Sequence, residues 1–351
     1  MTDLRTVAVR CDLGPVVGAG HAMRSIALSE EILRRGNHVV FVCDVGGLSW
    51  VADRLTQLEI LVVPDPIDVA ELPALFESLG ADLVVFDSYT LPTRVYEQTR
   101  TLGCRTMAFV DGTIRGADAD ILLDQNVGAE DDITDLPSTV VHLAGAAYAV
   151  LRDDVVLRRP EVPPAGVEVS APKVLAFFGG TDVHGAGPIV AQALADTGSR
   201  FEATVVAPRD RLRERIDAIP LGAGQNLEVI GPTGRVPDLI RQSDFVVCAG
   251  GTSLWEAFAL GAAVGVVCLA ENQQLAYRRV VQSATALGVG ILSEIQDDST
   301  AAVGSLLRLL TDHELRGRLS AAGWRLIDGR GKRRVVDVLE ASMRPSKRSG
   351  E

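Results

Sequence analysis

The chain has 351 residues, of which 47% are hydrophobic and 23% are charged. This length exceeds what one hydrophobic core usually serves, so we expect a globular protein with two domains. The net charge of −12 argues against nucleic acid or an anionic membrane as a partner. No apolar stretch is long enough to span a bilayer, and no signal peptide is evident. We therefore expect a cytoplasmic protein without a membrane span.

The cysteines and most of the histidines give no sign of a metal site. Five cysteines are scattered without metal-ligand spacing, and they are expected to be small buried side chains in a reducing compartment. They are Cys11, Cys43, Cys104, Cys248 and Cys268. Four of the five histidines lack convergent carboxylates or thiols, so neither a metal nor a cofactor is expected.

Short β-branched runs alternate with helical patterns along the whole chain, which is typical of βαβ units with parallel sheets. In the first half, strands are predicted at 6–9, 38–43, 60–63, 83–86, 106–110 and 121–123. The helix after the first strand is predicted to end at Gly36. In the second half, strands are predicted at 174–178, 203–206, 227–230, 245–248 and 264–269, with helices near 301–310 and 314–319.

These elements predict an α/β fold of two doubly wound Rossmann-like domains. Residues 158–172 contain four prolines and are interpreted as a linker. The N-terminal domain then covers 1–157 and the C-terminal domain 173–334, while the helix and tail at 335–351 are expected to pack back on the N-terminal domain. Ligands of such sheets bind outside the carboxyl ends of the strands, so an interdomain cleft is the expected site.

A glycine-flanked histidine follows the first predicted strand and opens a helix. Glycines let the backbone approach a ligand, and histidine can exchange a proton near neutral pH. His21 is therefore a candidate general base, with the surrounding residues as candidate substrate contacts. The plainer interpretation is an ordinary βα loop in which the imidazole only makes a structural hydrogen bond. The candidate contacts are Arg10, Asp12, Gly18, Gly20 and Arg24.

A second glycine pair follows the strand predicted at 245–248. Gly250 and Gly251, then the hydroxyls of Thr252 and Ser253, then a helix, would cradle an anion with backbone amides and side-chain donors. Glu256, one turn further, could reach a ribose. A capping box from Ser253 to Glu256 is the plainer interpretation, but it leaves the glycine pair unexplained.

Three further clusters follow predicted strands. Gly179 and Gly180 could close over a diphosphate, or they could form a plain turn. Asn272 and Gln273 offer amides to sugar hydroxyls and phosphates, or they cap a helix. Asp87 and Tyr89 could orient a sugar or assist the histidine, and Asp111 and Asn126 follow later predicted strands in the same way. An aspartate at a strand end is, however, often turn chemistry.

Together these motifs resemble the nucleotide-sugar hydrolase of pseudaminic acid biosynthesis and its spore-coat polysaccharide relatives. The matching segments are Arg10-Cys11-Asp12, Gly18 to Arg24, Asp87-Ser88-Tyr89, Gly179 to Asp182, Gly250 to Ser253 with Glu256, and Asn272-Gln273. They occur in the family's order over most of the chain. The second half also looks, more distantly, like the donor-binding half of the bacterial N-acetylglucosaminyltransferase that makes lipid II.

The resemblance implies the two-domain GT-B glycosyltransferase fold, with the nucleotide held by the C-terminal domain. It also implies that His21 is the base, that Gly251, Thr252 and Ser253 hold the diphosphate, and that Glu256 holds the ribose. The hypothesis that follows is hydrolysis of a UDP-linked amino or deoxy sugar with inversion at the anomeric carbon.

Two alternatives remain open at the level of sequence. An inverting glycosyltransferase would use the same donor site and would add a sugar or small-molecule acceptor. A non-catalytic nucleotide-sugar sensor would leave His21 without a purpose. Release of free sugar from the donor alone would distinguish the hydrolase from the transferase.

Overall fold

The computed structural model describes residues 4–14, 20–45, 48–133 and 135–343. The chain forms two compact units. The N-terminal unit comprises Met1–Asp153 and Arg330–Glu351, and the C-terminal unit comprises Asp154–Gly329. Each unit contains one parallel sheet with helices between its strands, so the predicted fold class is confirmed.

The strands of the N-terminal unit are β1 (Thr6–Cys11), β2 (His38–Val42), β3 (Leu61–Val63), β4 (Leu83–Asp87), β5 (Arg105–Phe109), β6 (Ile121–Asp124) and β7 (Val141–Ala144). The strands of the C-terminal unit are β8 (Lys173–Phe177), β9 (Phe201–Val206), β10 (Gln225–Ile230), β11 (Phe245–Ala249), β12 (Val264–Cys268) and β13 (Leu287–Ile291).

The helices are α1 (Gly20–Arg34), α2 (Ser49–Gln57), α3 (Leu72–Ser78), α4 (Thr93–Thr101), α5 (Asp153–Val156), α6 (Ala186–Asp196) and α7 (Asp210–Asp217). They continue with α8 (Val236–Gln242), α9 (Thr252–Ala259), α10 (Gln274–Gln282), α11 (Leu292–Asp297), α12 (Thr300–Thr311), α13 (His313–Leu326) and α14 (Gly331–Ser342).

Strand order determines where each sheet can bind a ligand. The N-terminal sheet has the order β3-β2-β1-β4-β5-β6-β7, and the C-terminal sheet has the order β10-β9-β8-β11-β12-β13. The direction of winding reverses between β1 and β4 in the first sheet and between β8 and β11 in the second. Such reversals open a crevice at the carboxyl edge of a doubly wound sheet. The loops after these four strands carry most of the residues that the sequence predicts to be functional.

Both faces of the N-terminal sheet are buried, as expected for parallel strands covered by helices. Side chains of β1 alternate between two cores, with Val7 and Val9 on one face and Ala8 on the other. The first core also contains Ile26 of α1 and Val335 of α14. The last helix thus belongs structurally to the N-terminal sheet, and the chain enters this unit twice.

Several local features agree with the expectations from sequence. All five cysteines are free and buried. Helix α1 ends just before Gly36, whose φ of 83° is the left-handed conformation that glycine adopts without strain. Within the described segments, no helix is long and apolar enough to cross a membrane.

Two strands, β7 and β13, are not predicted from the sequence. β13 contains two glycines, which weaken strand propensity, and its pairing with β12 shifts register between Val266 and Val267. β7 has only four residues and lies at the edge of its sheet, half exposed. Neither segment has the continuous apolar run by which the central strands are recognised.

Candidate functional site

The candidate base lies at the start of the helix that follows β1. His21 is the second residue of α1, and it is 8% exposed. Gly20 begins the helix, and a Cβ at its position would contact nothing within 4 Å. Gly18, also predicted to line this site, lies outside the described residues. The start of α1 thus places the imidazole at the carboxyl edge of the sheet, beside the reversal of winding.

His21 and Asp87 form a hydrogen-bonded dyad. The imidazole Nδ1 lies 2.5 Å from Asp87 Oδ1. Asp87 is the last residue of β4 and is fully buried. An ionised carboxylate only accepts hydrogen bonds, so Nδ1 must donate the proton. The neutral ring then carries its free lone pair on Nε2, which is the tautomer that a general base requires.

Arg24 keeps Asp87 ionised. Its Nε donates to Asp87 Oδ2 at 2.7 Å and its Nη2 donates to Oδ1 at 2.6 Å, which is a bidentate pairing. Ser25 Oγ donates to the same carboxylate at 3.2 Å. Burial alone would raise the pKa of Asp87, but the charge of Arg24 and the hydrogen bonds from Arg24 and His21 outweigh it and hold the pKa well below its usual range. The dyad therefore keeps its carboxylate charged.

Tyr89 and Asp111 extend this cluster. Tyr89 Oη donates to Asp111 Oδ2 at 2.5 Å, and the Tyr89 ring packs edge-on against His21 with centroids 4.5 Å apart. Asn126 Nδ2 donates to Asp111 Oδ1 at 2.9 Å. Burial, followed by the charge of Asp111, raises the pKa of Tyr89. The phenol consequently stays protonated well into the alkaline range and remains a hydrogen-bond donor.

Asp111 and Asn126 are noted from the sequence together with the Asp87 cluster because both follow predicted strands, but no role in the site is predicted for them. The signal that could have assigned a role is their place in the sheet. Asp111 lies two residues after β5, and Asn126 lies two residues after β6. Because β4, β5 and β6 are neighbours in the sheet, polar residues at their carboxyl ends converge.

Arg10 and Asp12 form a second ion-pair group beside the dyad. Arg10 is 8% exposed, and its guanidinium donates to both Asp12 and Asp65. Its Nε lies 3.2 Å from Asp65 Oδ1, and its Nη2 lies 3.0 Å from Asp65 Oδ2. Asp12 Oδ2 also accepts from the Tyr89 amide at 3.1 Å. Burial would lower the pKa of Arg10, but the two carboxylates raise it. Asp65 is not predicted from the sequence; it follows β3, on the far side of β2.

The second glycine pair begins α9 in the C-terminal unit. Gly250 follows β11, and Gly251 is the N-cap residue of α9, with open space around the position of a Cβ. Thr252 and Ser253 are the first two residues of the helix, whose amides have no intrahelical acceptors. Their partly exposed side chains and the free space at Gly251 suit an anion. The predicted capping box is wrong, because the N-cap residue is Gly251 and Ser253 lies inside the helix.

Gly179 and Gly180 follow β8, across the reversal of winding from Gly250 and Gly251, which follow the neighbouring strand β11. Both are exposed, and Gly179 has a φ of 76° with open space where a Cβ would lie. Asp182 ends this loop and is buried, and its carboxylate accepts from the amides of Ala186 and Gly187 at 2.9 and 3.0 Å. Asp182 therefore anchors the start of α6, while the two glycines stay open to a ligand.

The remaining predicted contacts of this unit occupy different environments. Glu256 is 7% exposed. Burial raises the pKa of the Cys248 thiol, and the charge of Glu256 raises it further. This carboxylate therefore lies near the end of β11. Asn272 is exposed, whereas Gln273 Oε1 accepts from the Leu269 amide at 3.1 Å. Ala270 is the N-cap residue of the short helical turn at 271–273 and Gln273 is that of α10, and neither makes a side-chain capping hydrogen bond, so the predicted helix cap is wrong.

No group of three or more His, Cys, Asp or Glu side chains within the described segments could hold a metal ion.

Comparison with known proteins adds to this geometry. No family model matches the chain. The spore coat polysaccharide biosynthesis protein SpsG of Bacillus subtilis (strain 168) is 23% identical over 355 residues, which cover 95% of this chain and 97% of that protein. At this identity, the similarity relates the two chains along their whole length without assigning an activity to this one.

Solved structures share the fold. MurG of Acinetobacter baumannii superposes with a TM-score of 0.67 at 12% identity, over 96% of this chain and 99% of that one. The MnaA–UDP structure of Staphylococcus aureus superposes with a TM-score of 0.68 at 14% identity, over 96% of each chain. A glycosyltransferase of Rickettsia africae has a TM-score of 0.62 at 12% identity, over 98% of this chain and 100% of that one. The chain therefore has two Rossmann-like α/β units of the GT-B type.

Proposed function

We propose that this protein is an enzyme that transfers a sugar from a nucleoside diphosphate to an acceptor, with His21 as the general base. The observation that carries the proposal is the buried His21–Asp87 dyad, held by Arg24 at the point where the N-terminal sheet reverses its winding. A carboxylate-oriented imidazole at a ligand-binding edge has the geometry of a proton acceptor. The full-length similarity to a polysaccharide biosynthesis protein and the fold of a solved glycosyltransferase support a sugar substrate.

The proposed step moves one proton and one sugar. His21 Nε2 takes the proton of an acceptor hydroxyl, whose oxygen attacks the anomeric carbon from the face opposite the nucleotide. The bond from that carbon to the diphosphate oxygen breaks, and its electron pair leaves with the nucleoside diphosphate. The configuration at the carbon inverts. Asp87 stabilises the imidazolium that forms, because its carboxylate already accepts a hydrogen bond from the Nδ1–H group.

The C-terminal unit is proposed to bind the nucleotide. Gly250 and Gly251 would admit the diphosphate to the amides and hydroxyls of Thr252 and Ser253, where the helix dipole favours negative charge. Glu256 would bind the ribose. Further contacts to phosphate and sugar are assigned to Gly179, Gly180, Asn272 and Gln273. UDP is the proposed nucleotide, supported by a structural neighbour that was solved with UDP.

Hydrolysis of the same donor is the second candidate. It is favoured by the order of motifs that resembles the nucleotide-sugar hydrolase, including the glycine-flanked His21 and the Asp87-Ser88-Tyr89 segment. Water would then take the place of the acceptor hydroxyl, and the products would be free sugar and nucleoside diphosphate. The role of the dyad would be the same.

One screen separates these activities. The full chain is incubated with UDP-, GDP-, CMP- and dTDP-sugars in heavy-oxygen water, with and without a set of sugar acceptors, and the products are identified by mass spectrometry. Nucleotide release that depends on an acceptor supports transfer. Label in the anomeric hydroxyl of free sugar, without an acceptor, supports hydrolysis. Tight UDP binding with no turnover of any donor contradicts both and supports a sensor.

A further inference from the structure

Arg24 is predicted from the sequence to bind nucleotide or sugar, but carboxylates surround its guanidinium in the structure. Nε and Nη2 bind Asp87 at 2.7 and 2.6 Å. Nη1 and Nη2 also lie 3.3 to 3.4 Å from the carboxylate of Asp111. The guanidinium lies 4.7 Å from the centroid of the Phe109 ring, and the residue is 5% exposed. All three nitrogens thus have acidic partners inside the protein.

Arg24 also completes a closed ring of side chains around the base. His21 binds Asp87, Asp87 binds Arg24, Arg24 reaches Asp111, Asp111 accepts from Tyr89, and the Tyr89 ring packs on His21. The members come from α1, from the end of β4 with the loop after it, and from the loop after β5. Because each side chain contacts two others, the imidazole can rotate only if several of these contacts break.

We propose that Arg24 is a positioning residue: by fixing and charging Asp87, it orients His21 and determines how readily the imidazole accepts a proton. It is not a ligand of phosphate or sugar. This inference deepens the proposed function, since it rests on His21 being the base of that reaction.

Charged side chains face His21. The guanidinium shares one positive charge between two carboxylates, and its Nη2 lies 3.3 Å from His21 Nδ1. Loss of that charge would leave the two carboxylates unopposed, which favours the imidazolium. Loss of one carboxylate would instead disfavour the imidazolium. Among the residues that the structure describes, the charged or titratable groups around the imidazole are Asp87, Arg24, Asp111 and Tyr89, with Arg115 over the Tyr89 ring at 4.2 Å.

The test is an NMR pH titration of the His21 imidazole in the full chain, with its signal identified by its loss in His21→Ala. In Arg24→Met the midpoint is expected to rise by about one pH unit or more, as for a unit charge removed at short range. In Asp111→Asn it is expected to fall. Arg115→Ala is the matched control: it removes an exposed guanidinium from the same neighbourhood, and solvent screening should leave a much smaller shift.

Kinetics provide the second readout. Arg24→Lys keeps the charge but loses the bidentate fork, so its titration midpoint should stay near that of the wild type. Its kcat should fall by about 10- to 100-fold from poorer orientation of the base, with little change in KM. If Arg24→Met does not fold, Arg24→Lys and Asp111→Asn still provide both readouts.

Two results would overturn the inference. One is an unchanged His21 midpoint in both Arg24→Met and Asp111→Asn. The other is a weaker affinity of Arg24→Lys for UDP with an unchanged kcat, which would make Arg24 a substrate ligand. The titration needs no substrate, so it decides the role of Arg24 even if no sugar nucleotide is turned over. A lack of turnover would contradict the proposed function alone.

Discussion

Replacing Asp87 by asparagine should impair both the reaction and the N-terminal unit. The carboxylate is fully buried and accepts from His21, Arg24 and Ser25. An amide of the same shape cannot carry the charge, and its NH₂ group can turn toward the imidazole, which would then place its proton on Nε2. In a comparable dyad the wrong tautomer lowers kcat by about 10⁴, so a loss of roughly 10³ to 10⁴ is expected here.

The stability effect follows from the charge left behind. Among the described residues, Asp111, at 3.3 Å, would be the one carboxylate left beside the buried Arg24. Removing one partner of a buried ion pair costs about 3–5 kcal/mol, and the remaining carboxylate favours the lower end. For a unit of this size, about 3 kcal/mol corresponds to a decrease in Tm of roughly 6–12 °C.

The pH dependence gives the sign of the effect. The pKa of folded Asp87 is lower than that of the unfolded chain, so its contribution to stability is fully present above about pH 4. That contribution is lost as the pH falls further. The Tm difference between wild type and Asp87→Asn, measured by calorimetry, should be largest near neutral pH and should narrow below about pH 4. A variant with wild-type Tm and kcat at pH 7 would refute the dyad.

Three further substitutions test separate parts of the structure. Gly251→Ala places a methyl group in open space, so the unfolding midpoint should hardly change, while the Kd for UDP measured by calorimetry should rise about tenfold or more. Gly234→Ala, also unobstructed but outside the candidate site, is its control, and equal UDP affinity in the two would contradict the cradle. Tyr89→Phe keeps the ring against His21 but removes the donor to Asp111, which should cost about 1–3 kcal/mol in urea unfolding; no loss would show that this hydrogen bond is dispensable. Lys332→Met removes the buried ammonium that binds Glu30 and Asp153, and it should lower the free energy of unfolding by about 3–5 kcal/mol. A thermal shift assay measures the effect, and an unchanged Tm would contradict it.

The fold follows from the sequence because its signals are local. Central strands such as β1 and β11 are buried on both faces, so they are continuous apolar runs that can be recognised without knowing their neighbours. The glycine at position 36 marks the end of α1 in the same way. β13 is not predicted because its two glycines interrupt the apolar strand pattern, and its place in the sheet is determined by pairing with β12.

The site is only partly readable from the sequence. His21 stands out because it directly follows a glycine-rich segment at a predicted helix start, and Asp87 because it ends a strand. The roles of Arg24 and Asp111 depend on contacts between residues 87 positions apart, which no local pattern encodes. The capping box fails for the same kind of reason: the spacing of Ser253 and Glu256 fits, but the helix begins at Thr252.

The proposed reaction depends most directly on His21 as a proton acceptor. The decisive measurement compares wild type with His21→Ala for turnover of the sugar nucleotide found in the screen and for equilibrium binding of UDP. We expect kcat to fall by at least about 10²- to 10⁴-fold, the usual contribution of a general base, while the Kd for UDP stays the same. Full turnover by His21→Ala would contradict this role.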